Sequence, residues 1–241
     1  MIQYLGNKNK LSSFIEPYIP KDIETYVEPF GGSMGLFFSL KIEKYPNIEF
    51  IYNDKNKFNS DLFKCLKNED FRNIVLDTTL NEKVYQESFD SLKSIDLYKR
   101  SLSWLIILLS GDVYDTLSKN YQGDYEFNNF KFKLPLYLNH LDRLSVYNLD
   151  YVSIIDIYDD ITSFFYFDPP YYSFEKYYTY HDFDIKSHEK LSNILKEMKS
   201  KWVLSYYDFP MMKDYYSDYK IVNKKYNNTY EYLVLNTPGS Q

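Results

Sequence analysis

Between Glu24 and Asp54 the chain alternates short apolar runs with turns, the pattern of an open α/β sheet. Thr25-Tyr26-Val27 reads as a short buried strand, Phe30-Gly31-Gly32-Ser33-Met34-Gly35 as a glycine-rich turn, and Leu36 to Leu40 as the opening of a helix. Glu49-Phe50-Ile51-Tyr52 is a second strand that ends at Asn53-Asp54. The pattern then changes. Phe58 to Phe71 and Leu97 to Leu109 place apolar residues at helical spacing. Ser110 to Lys133 is polar and shows no clear period, which reads as a long loop. Strands return before Asp150, at Thr162 to Phe167 and at Trp202 to Ser205, with a helix over Ser187 to Ser200. Lys220 to Lys225 and Tyr230 to Leu235 are expected to pair as a closing hairpin with its turn near Asn227-Asn228.

There is no internal repeat and no low-complexity linker. The 241 residues suit one large domain with an insert, and 44% apolar residues supply a core. The first 20 residues lack a continuous apolar stretch, so no signal peptide is expected, and Trp104 to Leu109 is far too short to cross a bilayer. A soluble, cytoplasmic protein is expected. With Cys65 as its single cysteine, the chain can form neither an internal disulfide nor a cysteine-based zinc site. The net charge of −6 is no basic footprint, although Lys8 and Lys10, Lys131 and Lys133, and Lys224 and Lys225 are local basic clusters.

Two segments carry chemistry. In Asp168-Pro169-Pro170-Tyr171 the prolines cannot continue a central strand, so Asp168 stands at the carboxyl end of one, the edge where open α/β sheets bind ligands. An exocyclic amine is a poor nucleophile, because its lone pair is delocalised into the ring. A carboxylate and a backbone carbonyl accepting its two N–H groups free that lone pair to attack a methylsulfonium carbon, while a tyrosine ring clamps the base. A strand-end turn with a stacked tyrosine is the plainer reading of the same tetrapeptide. The second segment is Glu28-Pro29-Phe30-Gly31-Gly32, where strand, glycine turn and helix form a nucleotide-cofactor arrangement. Asp54, 22 residues after Gly32, is placed to hydrogen-bond the ribose hydroxyls of an adenosine.

Taken in order, Tyr4-Leu5-Gly6-Asn7-Lys8, Val27 to Ser33, Asn53-Asp54 and Asp168 to Tyr171 resemble the Dam-type, α-class DNA adenine N6-methyltransferases of bacteria and phages. The resemblance spans nearly the whole chain. It implies a Rossmann-like, S-adenosylmethionine-dependent α/β methyltransferase fold formed by residues 1–57 and 141–241, with a mostly helical target-recognition insert at 58–140. It implies a cofactor site of Tyr4, Lys8, Phe30, Gly31, Gly32, Ser33, Asp54, Asp150, Tyr151 and Asp168, with S-adenosylhomocysteine as product and no metal. Asp168, Pro169, Pro170 and Tyr171 would receive an adenine flipped out of duplex DNA. Lys119, Asn120, Tyr121 and Asn128 are the expected DNA contacts, and a cognate restriction enzyme is a further partner the resemblance suggests. Two later segments, His188 to Leu191 and Glu231-Tyr232-Leu233, resemble the family and read as structural.

The chain departs from the family pattern in two places. Met34 stands where many relatives have a second glycine, and Ser118 stands where relatives often carry an arginine, so recognition of GATC does not follow. The rival readings are an RNA adenine, cytosine N4 or protein glutamine methyltransferase, and an inactive relative that only binds nucleic acid. Cytosine C5 chemistry needs a cysteine nucleophile, and Cys65 sits among apolar neighbours in a predicted helix.

Overall fold

The computed structural model describes residues 8–112, 118–172, 183–226 and 229–236. Tyr4 and the Asn227-Asn228 turn lie outside them. Seven strands form one sheet: β1 (Thr25–Glu28), β2 (Glu49–Asn53), β3 (Leu144–Tyr147), β4 (Ser163–Phe167), β5 (Lys201–Tyr206), β6 (Lys220–Tyr226) and β7 (Thr229–Leu235). Their order is β3-β2-β1-β4-β5-β7-β6. The first five are parallel, and β7 runs antiparallel between β5 and β6. This is a Rossmann-like sheet, as the family resemblance implies, with the antiparallel closing hairpin that the apolar pattern predicts.

The helices are α1 (Ser12–Ile15), α2 (Lys57–Leu66), α3 (Glu69–Asp77), α4 (Glu82–Ser91), α5 (Leu97–Ser110), α6 (Tyr125–Lys133), α7 (Leu138–Asp142), α8 (Tyr151–Tyr158), α9 (Ile185–Glu197) and α10 (Met212–Tyr215). Strand alternation sorts the core into two layers. Tyr26, Phe50, Phe164, Val203 and Leu233 face one side and pack with Leu62, Phe63, Trp104 and Phe127 of the inserted helices. Val27, Ile51, Phe165, Leu204 and Val234 face the other and pack with Ile154 of α8 and Leu191 of α9. The helical stretch thus shares one hydrophobic core with the sheet face it covers.

Three local expectations need correction. The helix expected at Leu36 to Leu40 is a single 3-10 turn, Phe37–Ser39, followed by another at Ile42–Lys44. The Ser39 hydroxyl donates to the Gly35 carbonyl (2.8 Å), a local bond that competes with helix propagation. The helix expected from Phe58 to Phe71 is two helices. Asn68 caps α3 by accepting from Asp70 N (2.9 Å), while Arg72 donates to the Leu66 and Lys67 carbonyls that end α2. The loop expected over Ser110 to Lys133 contains α6, anchored by buried Phe127 and Phe130, an i, i+3 pair masked by its polar neighbours.

Candidate active site

The strand order reverses between β1 and β4, so the crevice for a ligand opens at their carboxyl ends. Both segments singled out above lie there. After β1 the chain turns sharply at Gly31, where a Cβ would come within 2.3 Å of the Tyr52 ring. Gly32 (φ 50°) and Met34 (φ 52°) are both left-handed. Met34 thus holds a left-handed backbone of the kind that favours glycine. Asn53 ties the neighbouring ends together: its amide donates to the Pro29 carbonyl (2.9 Å) and the Leu149 carbonyl (3.1 Å), and its oxygen accepts from Leu149 N (2.8 Å).

Asp54 is buried and already engaged. Its carboxylate accepts from Gly32 N (2.7 Å), Asn56 N (2.7 Å) and the Asn59 amide (3.3 Å). Asp54 thereby clasps the glycine turn, at the place where spacing expects a ribose contact. Its neighbour Lys55 reaches the adjoining cavity.

That cavity, of about 170 Å³, lies between Phe30, Lys55, Asp150, Tyr151, Phe183 and Lys190. Phe30 stands 5.1 Å from Tyr151 and 5.5 Å from Phe183, ring centre to ring centre, giving aromatic walls suited to a flat heterocycle. Asp150 caps α8 through Val152 N (3.0 Å) and pairs with Lys55 (3.4 Å). The Tyr151 hydroxyl is buried and has no hydrogen-bond partner among the described residues. Burial, with Asp150 nearby, pushes its pKa up to about 12, so the hydroxyl stays neutral and keeps a proton to donate. These features fit the adenosine part of a nucleotide-like cofactor. A larger groove of about 610 Å³ between α8 and α9 contains none of the expected site residues.

The other half of the site is a cluster of charges. Glu28 ends β1, Asp168 follows β4, and Glu231 begins the inward-facing series Glu231, Leu233, Leu235 on β7. Because β7 runs backwards, its start lies at the same carboxyl edge, with Tyr232 opposite Tyr206 of β5. Alternation puts all three carboxyls on the side of the inserted helices. Lys8 joins two of them: its ammonium is 3.0 Å from Asp168 Oδ1, 3.6 Å from Glu231 Oε1 and 4.7 Å from the centre of the Tyr171 ring. The Tyr171 hydroxyl donates to Glu231. Pro169 and Pro170 are buried and hold this turn.

Burial raises the Asp168 carboxyl above its ordinary range, opposed by the Lys8 charge and hydrogen bond. Glu231 is raised by burial too, with Lys8 opposing and Asp168 reinforcing. Burial works to lower Lys8, yet Asp168 and Glu231 outweigh it and hold the ammonium charged. Glu28 is pushed up to about 8 by burial, against a hydrogen bond from the Tyr26 hydroxyl (2.8 Å), so it is largely protonated at neutral pH. The structure therefore brings Lys8, Asp168 and Tyr171 together, and adds Glu231, which sequence reasoning had taken as structural.

The residues expected at DNA are not gathered in the same way. Lys119 and Asn120 are exposed, and the Lys119 carbonyl accepts from Gln86 (2.7 Å). Tyr121 packs against Tyr85, and the Asn128 amide donates to Asp124 (3.0 Å). All three arginines are engaged within the chain. Arg72 donates to Leu66 and Lys67, Arg100 to Asp61 (2.7 Å) and the Ser94 carbonyl, and Arg143 to the carbonyls of Ile42, Tyr45 and Ile48.

Comparison with known proteins places this architecture. Residues 4–230 match the model of the D12 class N6 adenine-specific DNA methyltransferases. The chain is similar to the Type II methyltransferase M.CviBI of Paramecium bursaria Chlorella virus NC1A, at 24% identity over 96% of this chain and 91% of that protein. It is similar to the Type II methyltransferase M.MjaIII of Methanocaldococcus jannaschii, at 26% over 83% and 80%. A third relative is the Type II methyltransferase M1.LlaDCHI of Lactococcus lactis subsp. cremoris, at 25% over 91% and 84%.

Proposed function

The chain belongs to the D12 class of N6 adenine-specific DNA methyltransferases, and from that premise we propose how its own residues carry out the reaction. The enzyme methylates the N6 amine of adenine at specific sites in DNA. The observation that supports the assignment of roles is the placement of Asp168 at the switch-point edge, beside Lys8, Tyr171 and Glu231.

S-adenosylmethionine supplies an electrophilic methyl group on its sulfonium and leaves as S-adenosylhomocysteine. Phe30 and Tyr151 would hold its adenine, Asp150 and the Tyr151 hydroxyl would offer polar contacts, and Gly31, Gly32 and Ser33 would form the turn beside it. Asp54 shapes the ribose side of the cavity by holding Gly32 N. Tyr4 lies outside the described residues, and its place beside Lys8 in the sequence motif supports a cofactor role for it.

The target amine is hidden inside duplex DNA, so the adenine is turned out of the stack to reach Asp168. Asp168 and the Pro169 carbonyl accept its two N–H groups, and the Tyr171 ring covers its face. As the N–CH3 bond forms and the S–CH3 bond breaks, the amine nitrogen gains positive charge, which the Asp168 carboxylate stabilises until the surplus proton passes through it to solvent. Residues 58–140 form the target-recognition part and residues 1–57 and 141–241 the methyltransferase part. Lys119, Asn120, Tyr121 and Asn128 are the proposed DNA contacts. With every arginine engaged elsewhere, base-edge contacts fall to lysine, asparagine, glutamine and tyrosine. The Type II relatives support reading this chain as the modification partner of a restriction enzyme, acting in the cytoplasm.

Asp168→Ala tests the assignment. Transfer of labelled methyl to duplex DNA is expected to fall by roughly 10²-fold or more, with cofactor binding kept. Full activity in that variant would contradict it.

A further inference from the structure

The proposed reaction asks Asp168 and the Tyr171 ring to receive an adenine, yet a single side chain engages both. Lys8 ion-pairs with Asp168 at 3.0 Å and lies 4.7 Å from the centre of the Tyr171 ring. Glu231, 3.6 Å from the same ammonium, is more deeply placed: its side chain is 3% exposed, against 20% for Asp168. Lys8 thus stands between an outer carboxylate and an inner one.

We propose that Glu231 is a positioning residue for methyl transfer, taking over the Lys8 ammonium when the target amine comes to Asp168. The inference rests on the reading that Asp168 receives that amine. An ammonium beside Asp168 cancels the negative charge that should balance the charge developing on the amine nitrogen. A small rotation of Lys8 towards Glu231 weakens the cancellation and keeps a buried cation paired throughout. Glu231 supplies the second carboxylate that lets Lys8 draw away from Asp168 and stay paired. The Tyr171 hydroxyl fixes Glu231 by donating to it. The ring that covers the base and the acceptor that draws off the lysine are therefore one unit.

Glu231→Gln is the informative variant, since it keeps an oxygen to accept from Tyr171 and removes only the charge. Single-turnover methyl transfer from labelled S-adenosylmethionine to duplex DNA is measured from pH 6 to 9, with cofactor affinity and the KM for DNA. The groups facing Lys8 over this range are Asp168, Glu231, Tyr171 and Tyr207, with Glu28 near Asp168. The transfer rate is expected to fall roughly 10- to 100-fold at every pH, with cofactor affinity and KM for DNA little changed. Glu231→Asp, which restores the charge, is expected to recover part of the rate.

If Glu231 merely tuned Asp168, removing its charge would make Asp168 easier to ionise and raise the rate at low pH. That result would overturn the proposal, as would a wild-type rate in Glu231→Gln or a loss confined to KM or cofactor affinity. Glu231→Asp no more active than Glu231→Gln would overturn it too, and this arm stands even if the glutamine variant is poorly folded. Asp168→Asn separates the two levels. If it is inactive while Glu231→Gln is unimpaired, only the positioning role fails; if it transfers normally, the reading of Asp168 fails as well.

Discussion

Glu28 shows what burying a carboxyl at the reactive edge does to stability. Burial pushes its carboxyl from the ordinary 4.5 up to about 8, so between those values the native state holds a proton that the unfolded chain has released. Its stabilising contribution is therefore complete below about pH 4.5 and is lost as pH rises towards 8. Urea midpoints of wild type and Glu28→Gln compared at pH 6 and pH 8 should show the wild type losing ground with rising pH. The limit is about 1.4 kcal/mol per pH unit; a parallel pH dependence would refute the assignment. Met34 sets two effects against each other. Glycine would relieve a left-handed backbone costing about 1–2 kcal/mol, but would empty a buried side-chain site worth about 2–5 kcal/mol. Burial wins, so Met34→Gly should lower unfolding free energy by about 2 kcal/mol in a denaturant titration. Asp168 and Tyr171 were legible in the sequence because two prolines must end a strand. Glu231 was not, because an acid's place at the reactive edge depends on β7 running backwards, which a hairpin's sequence does not tie to this edge. Its one signal was an acidic residue at an inward position of an alternating strand.

Among the elements, the glycine turn and the inserted helices are joined by a short chain of hydrogen bonds. Gly32 N donates to Asp54, the Asn59 amide on α2 donates to Asp54, and the Trp104 indole on α5 donates to Asn59 Oδ1 (2.8 Å). All four residues lie on segments that patterning had identified, but no spacing rule links them, since the link is made by packing across the core. Asn59→Ala removes the partner of a fully buried indole N–H and should destabilise the protein by about 1–3 kcal/mol. Isothermal titration of the folded variant should also show weaker S-adenosylmethionine binding, because the clasp on Gly32 loosens. The strands were legible because β-branched and aromatic runs end at clear turns. The α2–α3 break and α6 were hidden: a capping asparagine and one Phe127–Phe130 pair decide them, and both look ordinary within a polar stretch.

At the scale of the whole molecule, the chain carries a net charge of −6, and its arginines are held by its own carbonyls and Asp61. Non-specific attraction to phosphates is therefore left to local lysines. Lys119→Ala should weaken duplex binding about equally across sequences and reduce the salt slope by about 1. A change in sequence preference instead would make Lys119 a base reader. The central claim is that methyl groups go to adenine N6 in DNA through Asp168. Its most direct test is incubation of mixed-sequence duplex DNA with labelled S-adenosylmethionine, followed by nucleoside separation. Label is expected in N6-methyl-2′-deoxyadenosine, confined to a defined sequence and absent with Asp168→Ala. Label on cytosine, on RNA alone, or undiminished in the Asp168 variant would contradict it.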